Sequence, residues 1–191
     1  MREDVVQVSL PSEDVAWAIE TARQSAGRWG AQTGHYTNAL RSHFIGKLGE
    51  LAAARALLAR GLRLDAHFRH PEREALCDVV VKQRGYRQIT RIEIKTWSRA
   101  HWPDLGRCIA VAQLPALAKK ADCILWCVTD APKPDADPAP VEVEIAGWST
   151  LDEVRAAPIR FTGTGAMRRV QNHQLDVNHL HPFSTFLKET P

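Results

Sequence analysis

The fold of this chain is decided by one stretch, ALCDVVVKQRGYRQITRIEIKTW (residues 75–97). It holds two runs rich in β-branched residues, Ala75 to Lys82 and Arg87 to Trp97, on either side of a glycine-containing turn at residues 83–86. Two such runs joined by a short turn predict a β-hairpin. This predicted hairpin carries the charged residues from which a functional site can be predicted.

Three charged residues of the hairpin are candidates for one site. Side chains alternate faces along a strand, so Glu93 and Lys95 should share one face. Ile92 and Ile94 should then point into the opposite layer. If the two strands pair about the turn, Asp78 becomes a near neighbour of Glu93. Facing carboxylates repel unless a cation bridges them, and Mg²⁺ binds few carboxylates together with waters and phosphate oxygens. We therefore expect a Mg²⁺ site here, with Mn²⁺ as a substitute.

A further carboxylate is a candidate for the same site. Glu50 is the only acid among seven basic residues between Thr21 and Leu64, and it follows Gly46-Lys47-Leu48-Gly49 on a predicted helix. Small residues one turn apart suit a helix that packs closely on a neighbour, and close packing would bring Glu50 to the metal. The alternative is a surface ion pair between Glu50 and Lys47, three residues apart on the helix.

The remaining sequence predicts an α/β (α+β) fold with a central mixed sheet of four to five strands flanked by helices. The predicted helices are one from Ser12 that ends at Gly27 and Gly30, then Asn38–Ala59, Leu114–Ala121 and Thr150–Ala156. Besides the hairpin, the predicted strands are Leu62–Phe68, Cys108–Ala112, Cys123–Thr129 and Val141–Gly147. The sequence after residue 156 is rich in turn-forming residues. The four cysteines lie in apolar runs and are expected to be reduced core residues.

The order of these features resembles the PD-(D/E)xK nuclease superfamily. A Gly-x-x-Gly-Glu helix segment, an aspartate that opens an apolar strand, an acid-x-lysine triplet and a Gln-Leu pair that starts a helix follow one another from Gly46 to about Val128. The chain departs from the family at Cys77, where the nominal residue is proline. It also carries Leu117 four residues after Gln113, where some exonuclease branches have tyrosine.

The resemblance implies a restriction-endonuclease-like core and a role for each matching residue. Asp78 and Glu93 would be metal carboxylates, and the backbone carbonyl of Ile94 would be a further ligand. Lys95 would be the catalytic lysine, and Glu50 the helix-borne acid. The implied function is a Mg²⁺-dependent DNA endonuclease that hydrolyses phosphodiester bonds by direct attack of water. In the family, such cleavage leaves a 5′-phosphate and a 3′-hydroxyl.

Basic and polar residues that frame the site are candidates for DNA contacts. The segment from Val79 to Ile92 has four basic residues and no acid, as phosphate neutralisation would require. A solvated basic face is the alternative for each of them. The residues expected to contact nucleic acid are Lys47, Arg41, Arg84, Ser98, Arg99 and Gln113.

Length and composition set the expected organisation. The 191 residues, 45% of them hydrophobic and 25% charged, suit one soluble domain, residues 1–191. Residues 1–36 would form an N-terminal helical elaboration, 38–148 the nuclease core and 149–191 a C-terminal elaboration. No apolar run is long enough to span a bilayer, and residues 1–4 lack the apolar core of a signal peptide, so a cytoplasmic location without membrane contact is expected.

Several functions remain open at this level. The compact size and the lack of an ATPase motif favour a restriction or defence-type enzyme. The alternatives are a structure-specific resolvase or repair nuclease, and a non-catalytic nucleic-acid-binding subunit on the same fold. A third is an unrelated α/β protein whose acid-x-lysine triplet is an edge-strand ion pair. One site per chain predicts a homodimer for cutting both strands, and a partner protein could supply target recognition.

Overall fold

The computed structural model describes residues 5–29, 38–66, 77–82, 89–163 and 167–186, without the side chains of residues 28, 29 and 66. Its helices are α1 (Ser12–Trp29), α2 (Ala39–Ala59), α3 (Trp102–Leu105), α4 (Leu114–Lys120) and α5 (Leu151–Ala156). Its strands are β1 (Val6–Leu10), β2 (Arg63–Ala66), β3 (Val79–Lys82), β4 (Ile89–Ser98), β5 (Cys108–Ala110), β6 (Cys123–Thr129), β7 (Val141–Thr150), β8 (Ile159–Thr162) and β9 (Val170–Gln174). Short 3₁₀ turns lie at Arg99–His101, Val177–His179 and Phe183–Thr185.

The central sheet has six strands in the order β1-β7-β6-β4-β3-β2. Strands β4 and β6 run parallel and the other neighbours run antiparallel, so the sheet is mixed. The predicted mixed sheet flanked by helices is therefore confirmed. The predicted count of four to five strands is wrong.

The missed strand lies at the N-terminus. Strand β1 pairs antiparallel with β7, with Val6 opposite Ile145 and Leu10 opposite Val141. The segment 1–36 was expected to be helical, yet it supplies an edge strand before α1 begins. The alternation of Val6, Val8 and Leu10 carries a strand signal, but five residues next to a strong helix start give it little weight.

A second, three-stranded sheet in the order β5-β9-β8 was not predicted. The predicted strand Cys108–Ala112 exists as β5, but it pairs with β9 rather than with the central sheet. Strands β8 and β9 form an antiparallel hairpin in the sequence expected to be turns. Polar residues make up half of β8 and most of β9, so the composition of this hairpin does not resemble that of core strands.

Helix α2 packs on one face of the central sheet, and α1 packs on α2. The buried cluster on this side includes Phe44, Leu48, Ile92 and Leu125. Asn38 caps α2 by accepting the Arg41 N–H at 3.0 Å. Gly61, at φ +77°, follows α2 in the conformation that favours glycine, as predicted for its C-terminal end. Helix α1 runs through Gly27 and continues to Trp29.

The opposite face of the sheet is covered by α4 and α5. Ile124 and Trp126 point to this side and pack with Leu117 and Val154. The Trp126 indole N–H donates to Ser149 Oγ at 2.9 Å, which satisfies the one polar atom of that buried ring. All four cysteines are buried and unbridged, as predicted. Among the described helices, none has the length and apolar character needed to cross a membrane.

The predicted hairpin is present as the antiparallel pair β3 and β4, with Val79 opposite Ile92. Its turn, residues 83–86, lies outside the described residues. Strand β4 continues from Ile92 to Ser98, whereas the pairing with β3 ends at Ile92. Within the described part of the chain, β4 therefore presents an edge on this side that no strand covers. The candidate site lies at this edge.

Candidate active site

Asp78 stands one residue before β3 and reaches the uncovered edge of β4. Its Oδ2 accepts the backbone N–H of Ile94 at 2.7 Å. Asp78 thus takes the position that a ladder partner would occupy, and the bond fixes the orientation of its carboxylate. The Ile94 side chain points into the core, 5% exposed, as the alternation of the strand predicts.

Glu93 and Lys95 lie on the opposite face of β4 from Ile94. They are aligned with Ile124 and Trp126 of β6, which face the α4 and α5 side. The Lys95 ammonium group forms an ion pair with Glu93 Oε1. The alternative interpretation of the Glu93-Ile94-Lys95 triplet was an ion pair on an edge strand. This ion pair is present, and it lines the same cavity as Asp78.

Glu50 comes to the same place from α2. It is only 8% exposed, and Lys47 Nζ lies 2.6 Å from its Oε2. The helix approaches β4 closely at Gly49, where an added Cβ would overlap the Thr96 hydroxyl and lie 2.9 Å from Thr96 Cβ. The prediction that a small residue lets the helix pack closely on its neighbour is confirmed at Gly49. It is wrong for Gly46, where an added Cβ would meet nothing within 4 Å.

These side chains line one cavity of about 390 Å³. The cavity wall contains Glu50, Asp78, Glu93, Lys47 and Lys95, together with Ile94, Thr96 and Gly46. Three polar residues of the same wall were not predicted from the sequence, and they are Ser25, Ser42 and His43. His43 is spaced four residues from Lys47 and seven from Glu50, so the helix period could have placed it on this face. Nothing local in the sequence indicates that Ser25 of α1 reaches the cavity.

Two carboxylates of this cavity, Asp78 and Glu50, resist ionisation. Burial raises the pKa of Asp78 well above its usual range, and the negative charges of Glu93 and Glu50 raise it further. Burial also raises the pKa of Glu50, although its ion pair with Lys47 opposes the shift. These directions follow from several acids that share one poorly solvated space. A group of this kind is a marker of a functional site.

The pKa values of the lysine and the histidine of the cavity shift in different directions. Burial disfavours the charge on Lys95, but the attraction of Glu93 and Asp78 outweighs burial and raises the pKa of the lysine. Burial, followed by the charge of Lys47, lowers the pKa of His43. Lys95 therefore stays protonated at neutral pH and His43 stays neutral. The cavity wall then carries three carboxylates against two ammonium groups.

The residues expected to contact DNA are distributed differently. Lys47 lies in the cavity wall. Arg41 donates to the backbone carbonyls of Pro132 at 3.3 Å and Ala131 at 3.5 Å, which anchors the loop after β6. Arg84 lies outside the described residues. DNA contact at each of these positions stays a prediction.

The other three candidates lie beyond the cavity. The Ser98 hydroxyl is 2.7 Å from His101 Nδ1, and Ser98 itself is buried. Arg99 is 2.9 Å from both Asp130 and Glu144, so two carboxylates already neutralise it. Gln113 stands immediately before α4. Their arrangement gives Ser98 and Arg99 clear structural contacts at the end of β4.

The cavity contains the donor types of a site for a hard divalent cation, but not the ready-made arrangement. Three carboxylates line it, and oxygen ligands of this type are those that Mg²⁺ selects. Among the described residues, no group of three or more His, Cys, Asp or Glu side chains is already gathered as a metal site. The two lysines account for part of this, because each holds one of the glutamates in an ion pair.

Comparison of the chain with protein-family models, curated proteins and solved structures gives no match.

Proposed function

We propose that this protein is a Mg²⁺-dependent DNA endonuclease with a restriction-endonuclease-like core, related to the PD-(D/E)xK superfamily. The observation that supports it best is Asp78, whose pKa burial raises well above its usual range and which shares a cavity with Glu93 and Glu50. An excess of buried carboxylates destabilises a fold, so it is retained where a ligand compensates for it. A divalent cation is the simplest such ligand.

Asp78 and Glu93 would hold the metal, with Glu50 and the Ile94 carbonyl as further ligands. The chemistry that Mg²⁺ supplies in such a site is activation of water and neutralisation of the charge that develops on the phosphate. The lysines that now pair with Glu50 and Glu93 would exchange these partners for the phosphate. With all three acids ionised, as metal binding would require, they and the two lysines leave an excess of one negative charge, which a divalent cation would reverse beside an anionic substrate.

Lys95 would act through its charge rather than as a base. The attraction of Glu93 and Asp78, acting against burial, raises its pKa, so the ammonium form persists at neutral pH. An ammonium group at this position can donate hydrogen bonds to the attacking water and to a non-bridging phosphate oxygen, where negative charge grows in the transition state. The Ile94 N–H holds the Asp78 carboxylate in place during this step.

In the proposed hydrolysis, the water oxygen bonds to phosphorus while the bond from phosphorus to the 3′ oxygen breaks. The water loses a proton and the leaving 3′ oxygen gains one, which leaves a 3′-hydroxyl and a 5′-phosphate. One site per chain would cut one strand at a time. Cutting a duplex through would then require a homodimer or two encounters.

A second candidate function is nucleic-acid binding without cleavage. It is favoured by the lysine partners of Glu50 and Glu93, because a cluster neutralised from within needs no metal to be stable. In this case Lys47 and Lys95 would not be released to a phosphate. Metal binding measured by calorimetry separates the two candidates, since only the nuclease should bind Mg²⁺ or Mn²⁺ in the cavity.

The test of the proposed function is incubation with supercoiled, linear, branched and single-stranded DNA in Mg²⁺, Mn²⁺, Ca²⁺ and EDTA. We expect cleavage in Mg²⁺ and Mn²⁺, binding without cleavage in Ca²⁺, and loss of cleavage in Lys95→Ala with its folding intact. Preference for plasmid duplex would indicate a restriction or defence-type enzyme, and preference for branched DNA a resolvase or repair nuclease. Hydrolysis in EDTA, or none with any cation, would contradict the proposal.

A further inference from the structure

The hairpin of β8 and β9, together with Arg168 and Arg169 that precede β9, forms an exposed surface that the candidate active site does not use. We call it the basic hairpin. Its strand β8 is the outer strand of the three-stranded sheet. Phe161 is 63% exposed and Ile159 is 55% exposed, which is unusual for side chains of this size. Exposed aromatic groups in a small area commonly mark a binding surface.

The charge of this surface selects the kind of partner. The segment from residue 159 to 175 contains three arginines, Arg160, Arg168 and Arg169, and no aspartate or glutamate. All three arginines are exposed, and alternation along β8 places Arg160 on the opposite face from Phe161. The Arg169 guanidinium lies over the Phe161 ring, 5.8 Å from its centroid. Arginines beside an aromatic side chain suit phosphates flanked by bases or sugars.

Side-chain contacts add to the backbone pairing of the two strands of the basic hairpin. Asn172 of β9 donates its side-chain N–H to Thr162 Oγ1 of β8 at 2.6 Å, and both residues are buried. Gly163, at φ +109°, follows β8 in a conformation that favours glycine, and an added Cβ would collide with the Arg168 carbonyl. These contacts fix the backbone pairing of the strands next to Arg168 and Arg169.

The basic hairpin is also connected to the candidate site. Met167, which precedes Arg168, packs against the buried cluster of Trp97, Leu105 and Cys108. Trp97 follows Lys95 by two residues on β4, so both side chains point to the same face of the central sheet. The hairpin therefore lies on the side of the sheet that carries Glu93 and Lys95.

We propose that the basic hairpin binds the DNA substrate next to the cleaved phosphodiester. Arg168 and Arg169 contact backbone phosphates, and Phe161 packs on a base or sugar. The proposal rests on the proposed function in that it takes DNA as the substrate. It adds an element outside the cavity that holds the duplex, and none of the residues expected from the sequence to contact DNA belongs to that element.

The test is the double variant Arg168→Ala/Arg169→Ala, with DNA binding measured by fluorescence anisotropy in Ca²⁺ at several salt concentrations. The plot of log affinity against log salt should become shallower by about 1.8, since each lost phosphate contact contributes about 0.9. At equal salt, the affinity should fall about tenfold or more. Phe161→Ala should weaken binding while the slope stays unchanged.

The matched control is Arg23→Ala/Arg155→Ala. These side chains are each 57% exposed, and their loss removes the same charge from other surfaces. The control should keep the wild-type salt slope. Cleavage at saturating DNA should be equal in all these proteins, since the hairpin lies outside the cavity, while the KM of the hairpin variant rises.

Each outcome separates this inference from the proposed function. If the wild type binds DNA but never cuts it, and the hairpin variant still loses affinity, the nuclease proposal fails and the hairpin inference stands. If the wild type cuts DNA and the hairpin variant binds like the control, the inference is overturned alone. It is overturned as well if the double variant changes the oligomeric state without changing DNA affinity, because the surface would then be a protein interface.

Discussion

Asp78 and Asp122 are two aspartates in matching positions with opposite electrostatic behaviour. Each stands one residue before a strand, and each accepts a backbone N–H of β4. The Ile94 N–H donates to Asp78 at 2.7 Å, and the Arg91 N–H donates to Asp122 at 2.8 Å. Burial works against ionised Asp122, but its hydrogen bonds with Arg91 outweigh burial and lower the pKa. For Asp78, burial raises the pKa well above its usual range.

The difference arises from what surrounds each carboxylate. Arg91 adds two side-chain bonds to Asp122, from Nη2 to Oδ1 at 2.6 Å and from Nε to Oδ2 at 3.3 Å. This bidentate pair is complete without a ligand. Asp78 instead shares its cavity with Glu50 and Glu93. An aspartate that opens a strand is structural when a guanidinium pairs with both of its carboxylate oxygens. The other aspartate, Asp78, is the one that the proposed function assigns to a cation.

The largest expected effect is on catalysis. Asp78→Asn should reduce Mg²⁺-dependent cleavage by about 100-fold or more, because it removes a ligand charge at the reacting centre. Asp122→Asn should leave cleavage nearly unchanged, since its pair with Arg91 is not part of the cavity. Initial rates of plasmid nicking measure both. Equal losses in the two variants would remove the distinction between the aspartates.

A loss of stability of about 2 kcal/mol is expected for Gly49→Ala, because the new Cβ would collide with Thr96 and push α2 from β4. The displacement would also move Glu50 away from Asp78, so cleavage should fall with stability. Gly46→Ala is the matched control, with open space for its Cβ and a gain of about 0.5 to 1 kcal/mol from helix propensity. Chemical denaturation gives both free energies. Similar values for the two variants would show that α2 does not depend on this approach.

A smaller effect, of opposite sign, is expected on the stability of the metal-free protein. Asp78→Asn should raise the free energy of unfolding by about 1 kcal/mol, because it removes a buried charge that other acids repel. Asp122→Asn should lower it by about 1 kcal/mol, because it breaks the partly exposed pair with Arg91. Thermal unfolding in EDTA measures both. A stabilised Asp122→Asn would contradict the structural role given to that pair.

The smallest effect is a change in how stability depends on pH. For Asp78 the folded pKa lies above the ordinary value of 3.8, so its contribution is greatest below that value and declines as pH rises toward the folded pKa. For Asp122 the folded pKa lies below 3.8, so its contribution is present above that value and is lost as pH falls through the folded pKa.

Urea unfolding of the metal-free protein from about pH 3 to about pH 8 measures these slopes. The stabilisation by Asp78→Asn should grow as pH rises. The destabilisation by Asp122→Asn should shrink as pH falls below the ordinary value. A variant-to-wild-type difference that is independent of pH would show that the aspartate in question ionises alike in folded and unfolded chains.

Much of the local structure was predictable because it depends on neighbours in sequence. The hairpin with Val79 opposite Ile92 and the shared face of Glu93 and Lys95 follow from strand periodicity. The end of α2 follows from Gly61. The pairing of Lys47 with Glu50 follows from the helix period and was foreseen as an alternative.

The failures share a dependence on distant contacts. The ion pairs of Arg99 were not predicted, because its partners Asp130 and Glu144 lie 31 and 45 residues further along the chain. Strand β1 pairs with β7, and its strand signal is only five residues long and stands next to a strong helix start. The segment of the basic hairpin was expected to form turns. Its strands form through pairing within the second sheet rather than through the preferences of their own residues.

The sequence by itself determined the hydrophobic periodicity of the helices and strands, the ends of helices such as α2, and the set of acids and lysines available for chemistry. Only the tertiary structure decided that β4 runs past β3, that α2 comes close enough at Gly49 to bring Glu50 to Asp78, and that Arg91 closes off Asp122 instead. The physical reason is that burial and the charge of spatial neighbours set the pKa of a carboxylate. Those quantities depend on distances through space, which a local pattern of residues does not encode.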